Sequence, residues 1–194
     1  MVAQTRPATL EDLAATPDDG RTYEIIDGAI VVSAAPTFRH ELVSQLLNRS
    51  LLNWIGEHEV GLVLTAPVDV VLTTGQTFQP DLLFVADANP GDVIAGRFHG
   101  APDLVVEIVS PTSRSRDSFV KPMRYARFGV REFWLVDPDL RTVSAYDLAD
   151  GLYHERTADE EGALASGVMD GLRVDSVALF SELDRLITRG RPGG

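Results

Sequence analysis

A glutamate stands inside the run Asp103-Leu104-Val105-Val106-Glu107-Ile108-Val109, and few features limit a fold more. Such a near-continuous run of branched residues reads as a strand covered on both faces. An ionised carboxylate there costs several kcal/mol unless a cation or several donors meet it. Whatever the chain folds into must therefore bury both faces of a sheet and bring a partner to Glu107. Two partners suit: an arginine in a salt bridge, or a metal ion for which Glu107 is a ligand. Pro80-Asp81-Leu82-Leu83-Phe84-Val85 repeats the pattern with an acid at the start of an apolar strand. An Asp after Pro at a strand entrance is also a common turn residue. Asp69, in Pro67-Val68-Asp69-Val70-Val71-Leu72, ranks below these two because it alternates toward solvent.

The surrounding pattern alternates strands and helices. Residues 9–15 predict a short amphipathic helix capped by Thr9, with Asp12 in its first turn. Tyr23–Ile26 and Ala29–Ser33 flank Asp27-Gly28, a strong hairpin signal. Thr37 caps a helix expected to run to about Ile55, with Val43, Leu46, Leu47, Ser50 and Trp54 on its buried stripe. Strands follow at Val63–Leu72, Asp81–Ala86, Leu104–Val109 and Glu132–Val136, with a helix before the last and a surface loop from Asp87 to Pro102. A second hairpin, Thr142–Leu148 and Leu152–Thr157, turns at Asp150-Gly151, and a helix over Ser176–Arg189 ends the pattern. This predicts an α/β (α+β) domain: a central mixed sheet flanked by helices and extended by N- and C-terminal hairpins. One domain over residues 9–189 is expected, with an extension at 1–8 and a frayed tail at 190–194.

Charge narrows the function. The 194 residues carry a net −12, which disfavours a general nucleic-acid binder. Yet from Arg114 to Arg131 six basic residues (Arg114, Arg116, Lys121, Arg124, Arg127, Arg131) meet one acid, Asp117. That segment is +5, which leaves −17 on the rest. It suits a stretch facing phosphates, or simply a solvated helix face. The chain has no cysteine, so disulfides and thiolate metal sites are excluded. No apolar run is long enough to span a membrane and no signal-peptide pattern opens the chain, so a cytoplasmic address is expected.

Lys121 is the only lysine, against sixteen arginines. Codon bias alone would produce such a count. An ammonium, however, is a compact charge able to lose its proton when desolvated, whereas a guanidinium is not. Asp117, Lys121 and Tyr125 are spaced to line one stripe of a helix. Pro122 either kinks that helix or marks where its regular part begins.

These residues, in this order, resemble the PD-(D/E)XK nuclease superfamily, and more closely the bacterial Uma-two family of restriction endonucleases. The similarity spans roughly residues 9–183. It takes in Tyr23-Glu24-Ile25-Ile26-Asp27-Gly28, His40, Pro80-Asp81-Leu82, Glu107 through Ser113, Asp117, Lys121 and Tyr125. It continues through Gly129-Val130-Arg131-Glu132-Phe133-Trp134-Leu135-Val136-Asp137-Pro138 and ends at Gly171-Leu172-Arg173-Val174 and Leu179-Phe180. One departure stands out: Val109 occupies the place where the superfamily's lysine usually stands, so Lys121 has to reach back from the next helix.

The resemblance implies a restriction-endonuclease-like core with Asp81 and Glu107 on adjacent strands. Asp81, Glu107 and the Ile108 backbone carbonyl are then expected to hold Mg²⁺ or Mn²⁺, with Lys121 as the third catalytic group. Glu24, His40, Asp117 and Tyr125 are expected to support them. Glu24, just before a hairpin turn, reads more readily as an exposed acid, and His40 equally as a packing or capping histidine; the helix dipole disfavours its protonated form. Arg114, Arg116, Arg124 and Arg127 are expected on flanking phosphates. The implied activity is endonucleolytic cleavage of DNA by a homodimer. The competing expectation is a catalytically silent nuclease-fold protein that binds or assembles, and a third is a structural protein whose Glu107 is salt-bridged.

Overall fold

A computed structural model describes residues 6–189. In chain order the elements are α1 (Leu10–Ala14), β1 (Thr22–Ile26), β2 (Ala29–Ser33), α2 (Phe38–His58), β3 (Gly61–Thr65), β4 (Val70–Thr73), β5 (Gln76–Phe78) and β6 (Leu82–Ala86). There follow β7 (Asp92–Ile94), β8 (Arg97–His99), β9 (Leu104–Ile108), a π-helical turn (Arg116–Val120), α3 (Lys121–Phe128) and β10 (Glu132–Asp137). The chain closes with β11 (Thr142–Ala149), β12 (Leu152–Arg156), β13 (Ala163–Ala165), β14 (Arg173–Asp175) and α4 (Ser176–Arg189).

The central sheet has the order β12-β11-β10-β9-β6-β3, and within it only β9 and β10 run parallel. That pair needs a crossover, which the π-helical turn and α3 supply. One face of the sheet packs on α2 and α4 through Val43, Leu47, Leu51, Leu82, Val106, Trp134 and Phe180. The other carries Val105, Phe133, Phe78 and Tyr125, closed by α3. Every residue of β9 is buried, as the apolar run around Glu107 requires.

Three expectations about the sheet are corrected. The N-terminal hairpin does not extend the central sheet; it belongs to a second one, ordered β2-β1-β5-β4-β8-β7, while the C-terminal hairpin does extend the first. The single strand expected over Val63–Leu72 is two strands in different sheets. Pro67 lies between them, and without an N–H it cannot continue a central ladder. The expected loop from Asp87 to Pro102 contains the hairpin β7–β8, whose strands of three residues are too short for alternation to reveal. Helix α2 also runs past Ile55 and through Gly56, ending at Glu59 in the left-handed region. The tail at 190–194 and most of the expected N-terminal extension lie outside the described residues.

Candidate active site

The site forms where β9 leaves the core. Leu104, Val106 and Ile108 point toward α2 and α4, so Glu107 faces α3 together with Val105. Strand β6 pairs antiparallel with β9, and one step beyond Leu82↔Val106 the register sets Asp81 opposite Glu107. Asp81 Oδ2 accepts the Ile108 amide at 2.6 Å, and its Oδ1 lies 3.3 Å from His40 Nε2 in the first turn of α2.

The π-helical turn settles the question at Pro122. The α-helix begins at Lys121, with Pro122 in its first turn, where a missing N–H goes unfelt. The wider turn before it keeps Asp117 in line, so Asp117, Lys121 and Tyr125 all reach the Glu107 face, each buried. Lys121 Nζ donates to both Glu107 oxygens at 3.0 Å, lies 2.8 Å from Glu24 Oε1 and 3.7 Å from Asp117 Oδ1. The Tyr125 hydroxyl donates to Glu107 Oε1 at 2.6 Å. The cation facing Glu107 is thus a lysine; no arginine serves it among the described residues.

Glu24 is not an exposed acid. It is 1% exposed, and its Oε1 accepts the Gln79 amide at 3.0 Å. Among the described residues its buried Oε2 has no hydrogen-bond partner, and Arg116 Nε stands 3.9 Å away. Glu24, His40, Asp81, Glu107, Asp117 and Lys121 line one half-open cleft of about 90 Å³, room for a few waters.

Four carboxylates here share one ammonium and one nearby guanidinium. Burial pushes the Glu107 carboxyl well above its ordinary value; Lys121 opposes this, while Asp117, Asp81 and Glu24 add to it. Burial also raises Asp117 against the opposing pull of Lys121 and a Ser113 hydrogen bond. Burial pulls the Lys121 ammonium down, but Glu107, Glu24 and Asp117 outweigh it and keep the lysine charged. Burial likewise lowers His40, yet the bond to Asp81 and its charge carry the imidazole above its ordinary value. The direction of the shift at His40 is thus set by Asp81 and not by the helix dipole.

This donor set suits a hard divalent cation. The cleft offers carboxylate and carbonyl oxygens and no thiolate, and it carries an excess of negative charge. Among the described residues no three His, Cys, Asp or Glu side chains converge as ready-made ligands. A cation here would rest on Asp81, Glu107 and the Ile108 carbonyl, the balance being water. Two carboxylates plus water is how Mg²⁺ is commonly held.

The basic segment is mostly neutralised by acids from elsewhere in the chain. Arg114 pairs with Asp137, Arg124 with Asp27 at 2.6 Å, and Arg131 with Asp103 at 3.1 Å. Arg116 bonds Ser33 and lies near Glu24 and Asp117. Arg127 has no ion pair among the described residues; it and Arg124 flank the Asp27 turn, away from the cleft lining. Asp69 also stays apart, held by Arg97 and by the Gln79 side chain, both at 2.8 Å. Sequence reasoning passed over Gln79 and Ser110, which line the cleft. Gln79 was findable: it sits two residues before Asp81, on the segment that delivers that carboxylate.

Sheet, crossover helix and carboxylate pair together define a restriction-endonuclease-like fold. The Uma2 family, described as "Putative restriction endonuclease", matches residues 8–175, and the chain belongs to that family. Its fold is shared with a solved structure described as "a putative nuclease belonging to DUF820" from Anabaena variabilis ATCC 29413. The two superpose with a TM-score of 0.76 at 21% identity, covering 91% of this chain and 99% of the other. No curated protein matches the chain.

Proposed function

We propose that the chain is a Mg²⁺- or Mn²⁺-dependent endonuclease that hydrolyses DNA phosphodiester bonds at the Asp81–Glu107 cleft. One observation carries the reading: two carboxylates on adjacent strands open to the same cleft, with the sole lysine's ammonium 3.0 Å from one of them. Membership in the Uma2 family supports it. Asp81, Glu107 and the Ile108 carbonyl hold the cation, which when bound supplies Lewis-acid polarisation of the phosphate and a more acidic water. Lys121 stays charged, orients the attacking water and offsets the charge that grows on the phosphorane oxygens. Tyr125 fixes Glu107 Oε1 and His40 fixes Asp81 Oδ1, so neither carboxylate has to reorganise during reaction. Arg114, beside Ser113 at the cleft and half-exposed, is the cation of the basic segment best placed for a flanking phosphate. Two-fold pairing of chains presents a site to each DNA strand.

A second reading has its own support. Lys121 and Tyr125 already satisfy Glu107, and the net charge of −12 repels DNA, as a silent nuclease-fold module would tolerate. Circular duplex DNA incubated with the protein in millimolar Mn²⁺ separates the two. Nicking or linearisation by wild type, absent from a folded Asp81→Asn variant, is expected. Intact DNA, duplex and single-stranded alike, with a folded wild type would favour the silent module.

A further inference from the structure

Lys121 stands where a metal's competitor would stand. Its ammonium donates evenly to both oxygens of Glu107 at 3.0 Å, so a second cation arriving at this carboxylate meets a positive charge already in place. The same ammonium is closer still to Glu24, 2.8 Å from Oε1, and it has Asp117 within 3.7 Å on its own helix stripe. Glu24 Oε2, buried and facing the cleft, has no partner among the described residues. The lysine thus already touches a second acid, one oxygen of which has no hydrogen-bond partner among the described residues. Glu24 is itself anchored: its Oε1 accepts the Gln79 amide, and the Gln79 side chain is tied to Asp69.

We propose that Lys121 is the resident counterion of Glu107 in the metal-free protein, and that Glu24, with Asp117, is a positioning residue that receives the ammonium when a divalent cation takes Glu107. The inference rests on the metal-site reading above. No proton is gained or lost in the exchange; the ammonium swings from Glu107 toward Glu24 Oε2 and Asp117 and keeps its charge throughout. Glu24 therefore acts on the metal through Lys121, not as a ligand.

Calorimetric titration with Mn²⁺ tests this in wild type, Lys121→Met, Glu24→Gln and the double variant, each checked for folding by melting. Removing the competitor should tighten Mn²⁺ binding about tenfold or more. Removing the seat should weaken it about tenfold. In the Lys121→Met background the Glu24→Gln effect should shrink to about threefold or less, since there is no ammonium left to receive. Three results overturn the proposal: unchanged or weaker binding by Lys121→Met, unchanged binding by Glu24→Gln, or a Glu24→Gln effect equally large with and without the lysine. The last would make Glu24 a direct ligand. If wild type and Lys121→Met both ignore millimolar Mn²⁺, the metal site falls and the exchange falls with it. The unmodified protein gives a check independent of variant folding. With one lysine in the chain, labelling lysine with ¹³C at the ε-carbon alone yields a single side-chain resonance, which saturating Mg²⁺ should move; an unmoved resonance also overturns the proposal.

Discussion

Glu107 and Glu132 lie on the paired strands β9 and β10, both inside apolar runs, and they meet burial in different ways. Among the described residues Glu132 receives four donors and no cation: Trp134 Nε1 at 2.6 Å, Ser166 Oγ and the Gly167 amide at 2.8 Å, and the Val168 amide at 3.0 Å. Glu107 instead receives a lysine and a tyrosine while three further carboxylates raise its proton affinity. Neutralising each should therefore have unlike effects. Glu132→Gln turns an amide NH₂ toward groups that are all donors and should lose about 1.5–3 kcal/mol in urea denaturation. Glu107→Gln removes one of four crowded carboxylates and should change metal-free stability by less than about 1 kcal/mol. A larger loss at Glu107 would mean the carboxylate is a structural partner of Lys121 and nothing more. Lys121→Arg keeps the charge and should leave the fold standing, yet the larger fork does not fit the compact seat, so cleavage should stop. Full activity in that variant would reduce the lone lysine to codon bias. Glu107 was legible in sequence because a charge in a β-branched run is an anomaly. Glu24 was legible only through the family resemblance, since its burial depends on Gln79, Lys121 and Arg116, distant in sequence and brought up only by the fold.

Among elements, those with many periodic residues were readable and the short ones were not. Helix α2 and strands β6, β9 and β10 announce themselves by spacing, whereas β5, β7 and β8 have three residues each and are held by their neighbours. The break after β3 carries Pro67, but which sheet each half joins is a tertiary choice. Gly61, opening β3, has φ +148, and a Cβ there would run into the Val85 carbonyl and the Phe84 ring. Gly61→Ala should thus cost about 1–3 kcal/mol or more by chemical denaturation, and a neutral result would mean this edge yields easily. At the carboxyl end of β10, Asp137 caps the turn by accepting the Asp139 and Leu140 amides, both at 3.0 Å, and it pairs with Arg114. Burial raises its carboxyl, but Arg114 and these amides outweigh burial and hold it below the ordinary range. A lowered folded value stabilises the protein above the unfolded pKa, and that gain disappears as pH falls through the folded one. Asp137→Asn should therefore be less stable than wild type near neutrality, and the gap should close below about pH 4. A gap that persists in acid would show that the charge contributes nothing.

For the whole molecule, the arginine-rich stretch that looked like a phosphate-binding face is largely consumed in tying elements together: Arg114 to β10, Arg124 to the first hairpin's turn, Arg131 to the start of β9. Linear charge density did not foretell this, because the partner acids come from Asp27, Asp103 and Asp137. Under the function proposed above, two-fold pairing would bring one site to each DNA strand, and light scattering should then report twice the monomer mass at micromolar concentration. A monomer mass unchanged with concentration would remove the dimer. Among the described residues no helix is long and apolar enough to cross a membrane. The burial of Lys121, 4% exposed and the chain's only lysine, has a practical corollary. The folded protein offers solvent no reactive side-chain amine. Succinimidyl dyes and aldehyde-coated supports should then leave the Lys121 side chain unmodified while the protein stays folded. Dye should reach Lys121 only as the cleft unfolds, so labelling of that one side chain becomes a direct gauge of how often the interior opens.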